Sequence, residues 1–309
     1  MEEDKFPELE ETTIRLKELK EITLTGLNSN PLRLCKEWLG AYYKIFPKLP
    51  VRKKIIESKD FDVPLYRASI QRDGFNENLL FEYTYPPKSK SSLGRCNFPG
   101  YPVLYSSLDP LIAVKEIISE GEIPAVVYLS RWKVIPSKEQ FVIQEFMPEN
   151  LPTTNPYFNK NNHIKVGDIF PDFLKSDSQK KAYLEVVKEF YNSFISTTDY
   201  NYASIFSHIS FFRFDGGSTD MILYPSVKDL DQINAAIAPN FVDNQMQIDR
   251  IYILNVFRNS INISHFSEVK NNKVVFIKRE DNQDRFQHIF SEDFPGFLLT
   301  QTGILNAKR

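Results

Sequence analysis

The chain has 309 residues, of which 42% are hydrophobic, 25% charged and 14% aromatic, with a formal net charge of −2. This is an ordinary globular composition with a high aromatic share, and its near-neutral balance excludes the broad positive field that holds nucleic acid or an anionic membrane surface. Two cysteines, Cys35 and Cys96, stand far apart without a CxxC, which leaves neither a disulfide framework nor a zinc knuckle.

The opening MEEDKFPELEE is acidic and polar, so no secretory signal is expected. No run approaches the roughly 18 apolar residues of a membrane span, and a cytoplasmic location is the expectation. From Pro7 to Leu24, Leu9, Leu16, Leu19 and Ile22 recur at helical spacing and predict an amphipathic helix. GLNSNP (26–31) breaks it. Asn30 then suits an N-cap and Pro31 a first helical position, with Cys35, Trp38, Leu39, Tyr42 and Phe46 as the next apolar stripe. Pro47 and Pro50 end that second helix. Residues 1–50 therefore read as a helical N-terminal extension, and residues 51–309 as an α+β domain.

After residue 60 short β-rich runs dominate: VPLYRASI (63–70), LLFEYTY (79–85), YPVLYSS (101–107), IPAVVYLSRWKVI (123–135) and QFVIQEF (140–146). LDPLIAVKEIISE (108–120) predicts a helix capped by Asp109 with Pro110 in its first turn. PENLPTTNPYFNKNN (148–162) reads as an inserted loop. A longer helix is predicted over about 178–196 from Leu184, Val187, Tyr191 and Phe194, and a further one over 200–212. MILYPS (221–226) and IDRIYILNVF (248–257) read as strands, and 265–280 as a hairpin turning at Asn271-Asn272. The tail beyond Asp281 carries no clear pattern.

Neither GxxxxGK[ST] nor GxGxxG occurs, so no glycine loop cradles phosphate at a helix start. His163, His208, His265 and His288 are scattered, without HExxH, so no metal is expected. No GxSxG and no Cys–His neighbourhood supports a serine or cysteine nucleophile.

Four motifs remain: LYRA (65–68), GRCN (94–97), VLYSSLDPLIAVKE (103–116) and LYPS (223–226). Arg67 lies inside an apolar strand, where a guanidinium is costly unless it meets an anion or carbonyls. Arg95 sits in a glycine loop, the usual place of a solvated cation. Glu116 points nearly opposite Leu111, Val114 and Ile118 on an ideal helix, so periodicity alone makes it a solvated acid. Ser226 reads locally as a turn residue, and Tyr66 and Tyr105 read as core.

In their joint order, from about residue 63 to about residue 257, these motifs resemble the RES-domain family, named for arginine, glutamate and serine. The stretch GRCNFPGYPVLYSS carries the resemblance best, with Cys96 where an aromatic residue often stands. The resemblance implies an ADP-ribosyltransferase-like α+β fold, a mixed β core with flanking helices, and an enzyme that degrades NAD by cleaving its nicotinamide–ribose bond through hydrolysis or phosphorolysis. Carried over by motif, Arg67 and Arg95 are the paired arginines, Glu116 the acid and Ser226 the serine, while Tyr66 and Tyr105 are ring contacts to the substrate. Residues 51–309 then form a RES-like catalytic domain with insertions and a C-terminal β extension. NAD is substrate and not cofactor. The partners implied are an antitoxin or inhibitor protein of a toxin or defence effector, and a second copy of the chain. ADP-ribose transfer to a macromolecule and a catalytically silent nucleotide-binding module are the rival functions.

The chemistry is coherent with these residue types. A pyrophosphate calls for planar, permanently charged donors, which arginine supplies. Departure of nicotinamide builds oxocarbenium character on the ribose, which a carboxylate stabilises. Because nicotinamide leaves as a neutral molecule, no general acid is required.

Overall fold

Local chemistry sets many element boundaries in the computed structural model, which describes residues 5–21, 30–46, 53–146, 172–196, 201–212, 219–258, 260–270, 273–294, 297–299 and 305–307. The first half of the chain holds α1 (Leu9–Glu21), α2 (Pro31–Ile45), β1 (Lys53–Glu57), β2 (Leu65–Ile70), β3 (Leu104–Ser107), α3 (Pro110–Ile117), β4 (Ala125–Val134) and β5 (Gln140–Glu145). The second half holds α4 (Asp177–Ile195), α5 (Asn201–Phe212), β6 (Met221–Pro225), β7 (Ile233–Ile237), α6 (Pro239–Gln245), β8 (Met246–Phe257), β9 (Ser260–Lys270), β10 (Lys273–Lys278) and α7 (Gln283–Asp293), then a small pair, β11 (Phe297–Leu299) and β12 (Leu305–Ala307). The protein is therefore mixed α+β. The loop read at 148–162 and the turn at Asn271-Asn272 lie outside the described residues.

The chain divides into two compact units. The first comprises residues 1–55, 87–103 and 141–227, and its core is aromatic. Phe6, Trp38, Tyr42, Phe46, Phe194 and Phe206 are all buried. Trp38 stacks on Tyr42 at 5.3 Å between ring centroids and Phe146 on Phe194 at 4.3 Å. Asn30 caps α2 as its residue type predicts, accepting from Arg33 N at 3.3 Å. Ser176 and Gln179 form a reciprocal capping box at the start of α4. The helices α1 and α2, expected as an extension, are packed into this unit: Gln179 Nε2 donates to the Phe6 carbonyl at 2.6 Å and Tyr202 Oη to the Leu19 carbonyl at 2.9 Å. The buried stripe of α4 is Tyr183, Val186, Phe190 and Phe194, one position away from the Leu184 and Val187 of the sequence reading. The larger rings at 183 and 190 remove more apolar surface from water than those aliphatic side chains would. Strands β5 and β6 pair in parallel, Gln144 opposite Ile222.

The second unit comprises residues 56–86, 104–140 and 228–309. Its strands run in the order β7-β3-β2-β4-β8-β9-β10, and each neighbouring pair is antiparallel. Helices α3 and α7 close one face over Tyr66, Ala68, Val127, Leu129, Tyr252, Leu254 and Phe266, with Val114, Phe286 and Phe290 as the helical side of the core.

One expectation fails in this unit. LLFEYTY is not a strand but a 3₁₀ turn over Leu80–Tyr83. Tyr83 and Tyr85 are anchored by their hydroxyls, which donate to the Glu77 carbonyl at 2.6 Å and to Asp243 Oδ2 at 2.7 Å, while Phe81 is 60% exposed; an alternating pattern without a partner edge does not make a strand. The patternless tail contains α7, whose last residue Asp293 ion-pairs with Arg131 at 3.0 Å and Arg250 at 2.6 Å.

Candidate functional site

In β2, successive side chains alternate between faces. Tyr66 and Ala68 pack under α3 and α7, so Arg67 is turned to the other face, half-buried. Its Nη1 donates to the Tyr105 carbonyl at 3.2 Å, and its own carbonyl accepts from Ser130 Oγ at 3.1 Å. The buried Nε has no hydrogen-bond partner among the described residues, and no carboxylate there pairs with the guanidinium. Burial first, and then the charge of Arg72, bring Arg67 down to about 10, a value at which it still carries its charge at neutral pH. Arg67 is thus a cation without a counterion among the described residues.

Glu116 is placed by the junction between β3 and α3. Ser107 Oγ donates to the Ile233 carbonyl at 3.1 Å, and Leu108 N donates to the same carbonyl at 3.0 Å. One turn on, the Asp109 carboxylate accepts from Leu111 N at 2.8 Å and Ile112 N at 2.9 Å, which is the cap its residue type predicts. Burial raises Asp109 above the ordinary carboxylate range against the pull of these amides. Seven residues later Glu116, half-buried, accepts from Asn234 Nδ2 at 2.7 Å. The solvated acid that periodicity predicts is therefore a held carboxylate, because β7 brings Asn234 alongside the helix. The sequence reading missed Asn234, although a lone polar residue inside the apolar run INAAIA was its signal.

In the first unit, Arg95 lies in an ordered turn. Gly94 N donates to the Asn97 carbonyl at 3.0 Å, and Asn97 Nδ2 reaches the Ser92 carbonyl at 2.7 Å and the Phe98 carbonyl at 2.9 Å. Gly100, at φ +80, takes the left-handed conformation that closes this loop. Arg95 Nη2 donates to the Ser196 carbonyl at 3.1 Å, and its guanidinium carbon lies 5.9 Å from the centroid of the Tyr224 ring. Tyr224 and Ser226 belong to the LYPS motif, and Ser226, just past β6, is fully buried. Burial pushes the Cys96 thiol up to about 12, so it is inert at neutral pH.

The expected site residues are thus partly assembled. Arg67 and Tyr105 meet through the Tyr105 carbonyl, and Arg95 meets the strand that carries Tyr224 and ends before Ser226. Arg67 makes no hydrogen bond or ion pair with Glu116. Tyr66, expected as a ring contact to substrate, lies in the core at 2% exposure, its hydroxyl 3.4 Å from the Asp293 carbonyl; strand alternation turns it away from Arg67. Among the described residues no group of three or more His, Cys, Asp or Glu side chains is placed to hold a metal ion, and no helix is long and apolar enough to cross a membrane.

What fold and site define together is a mixed α+β protein with, in one unit, an oriented carboxylate and a cation that no described carboxylate pairs. Comparison with known protein families finds none that matches the chain, and no curated protein matches it either.

Proposed function

We propose that this protein consumes NAD by breaking the bond between nicotinamide and ribose, on an ADP-ribosyltransferase-like version of the α+β fold. The observation that carries the reading is Arg67. A half-buried guanidinium that meets, among the described residues, one carbonyl and no carboxylate is expensive to maintain in a protein interior, and a bound anion is what offsets that cost. A pyrophosphate fits, because its oxygens accept parallel, charge-assisted hydrogen bonds from an arginine.

Glu116 is the carboxylate beside the anomeric carbon. As the carbon–nitrogen bond breaks, its electron pair stays on the nicotinamide nitrogen, positive charge grows on the ribose, and the anionic side chain gains interaction with it. Water or phosphate then forms the new bond to the anomeric carbon, with water releasing its proton to solvent. Tyr105 is the remaining contact to substrate. An activity that drains NAD needs restraint in the cell that makes it, so an inhibitor protein is part of the proposal.

Purified protein incubated with NAD should release nicotinamide. Glu116→Gln should lower the turnover about a hundredfold, the equivalent of about 2.7 kcal/mol of transition-state stabilisation. Products separate the modes: free ADP-ribose marks hydrolysis, a phosphorylated ADP-ribose marks phosphorolysis, and a labelled macromolecule marks transfer. Absence of nicotinamide release under all three conditions would sink the reading.

A further inference from the structure

The hydrogen bond from Asn234 Nδ2 to Glu116 Oε1 joins two side chains that local rules place badly. Asn234 lies in β7, whose five residues are all buried. It is 4% exposed, and its amide oxygen has no hydrogen-bond partner among the described residues. A buried acceptor left unsatisfied is destabilising. Glu116 stands in the last turn of α3, where the carbonyl end of a helix disfavours negative charge. Packing alone would be served better by two apolar side chains.

We propose that Asn234 is a positioning residue that aims the Glu116 carboxylate, an inference that rests on the reading of Glu116 as the acid beside the anomeric carbon. An ionised carboxylate can only accept, so the asparagine must present its NH2 group to it. That choice turns the amide oxygen away and leaves it orphaned: the side chain gives up its own acceptor in order to hold the acid. The donor is itself rigidly mounted. Asn234 is paired in register with Ser107 across β7 and β3, and Ser107 Oγ bonds to the Ile233 carbonyl next to Asn234 in the chain. Strand β3 leads into α3 through the Asp109 cap, so one short circuit of backbone fixes both the donor and its acceptor. A hydrogen bond mounted on a strand in this way holds a helix-end carboxylate in one rotamer, which is the preorganisation that charge stabilisation in a transition state requires.

The test is a double-substitution cycle read by nicotinamide release from NAD. Asn234→Ala, and Asn234→Asp as the isosteric change that removes the donor while keeping the shape, should each lower kcat about 10- to 100-fold with KM changed less than about threefold. In the Glu116→Ala background, adding Asn234→Ala should lower kcat by no more than about threefold further, because the residue acts through the acid that is already gone. Unchanged kcat in both single Asn234 variants, or losses that multiply independently in the double variant, would overturn the inference alone. A wild-type protein that releases no nicotinamide removes the reading of Glu116 and this inference with it.

Discussion

Arg67 carries its charge where a protein of purely structural design would not put one. Among the described residues its one acceptor is a carbonyl and its buried Nε has no partner, and Arg72 adds repulsion. The consequence separates a structural arginine from a ligand-binding one. Arg67→Met keeps the volume and removes the buried charge, and should raise the unfolding free energy by about 1 kcal/mol or more while nicotinamide release is lost. Denaturant unfolding beside a kinetic assay measures both; a fall in stability would mean that the guanidinium holds the fold together. Arg67→Lys should not restore activity, because a flexible point charge does not reproduce a planar fork. That Arg67 sits inside an apolar strand was legible in LYRA itself. That no described carboxylate comes to meet it was not, since the alternation of β2 fixes a face but not what other strands bring to it.

At the level of elements, α7 is fastened to the sheet by charge as well as by its phenylalanines. Register places Tyr66 opposite Arg131 and Arg131 opposite Arg250, so two guanidinium groups lie directly across neighbouring strands, an arrangement that repels unless an anion intervenes. Glu292 reaches both arginines from the exposed side, and Asp293, at 1% exposure, is the buried anion. It ion-pairs with both arginines and accepts a short hydrogen bond from the Tyr252 hydroxyl; burial raises it above the ordinary carboxylate range while Arg250, Tyr252 and Arg131 oppose the rise. Asp293→Ala should cost about 3–5 kcal/mol, seen as a lowered denaturant midpoint, whereas Glu292→Ala, whose side chain is 50% exposed, should cost under about 1 kcal/mol. Equal losses would show that α7 is held by its apolar face alone. None of this was visible in the tail, where acids and amides outnumber the periodic apolar residues. The cap at Asp109 and the start of α2 were visible, because a cap is a contact within one turn of chain.

For the whole molecule, stability should depend on pH through His208. It lies in the first unit between Phe98, stacked at 4.5 Å, Tyr101 at 4.8 Å and Phe212 at 5.1 Å, its Nδ1 without a partner among the described residues. Burial lowers it from 6.5 to about 4. A histidine held neutral in the fold but free to protonate when unfolded favours the unfolded chain as acid is added. The stability linked to this group is complete above pH 6.5, declines as pH falls toward about 4, and then levels, because both states carry the proton. The full loss is roughly 3 kcal/mol. His208→Phe should flatten the profile of unfolding free energy over that window; a variant with the wild-type slope would place the acid sensitivity elsewhere.

Composition and local pattern by themselves determined a mixed α+β chain with two helices at its start, the second of them capped, most of its strands and the Asp109 cap. These rest on interactions within a few residues, which one chain segment specifies alone. Only the tertiary structure decided that the first helices pack into the first unit, that Tyr66 faces α7, that no described carboxylate pairs with Arg67 and that Glu116 is held by a residue 118 positions away. Each of those depends on which strand edge a distant segment occupies, and burial energy summed over many residues, not any single motif, makes that choice.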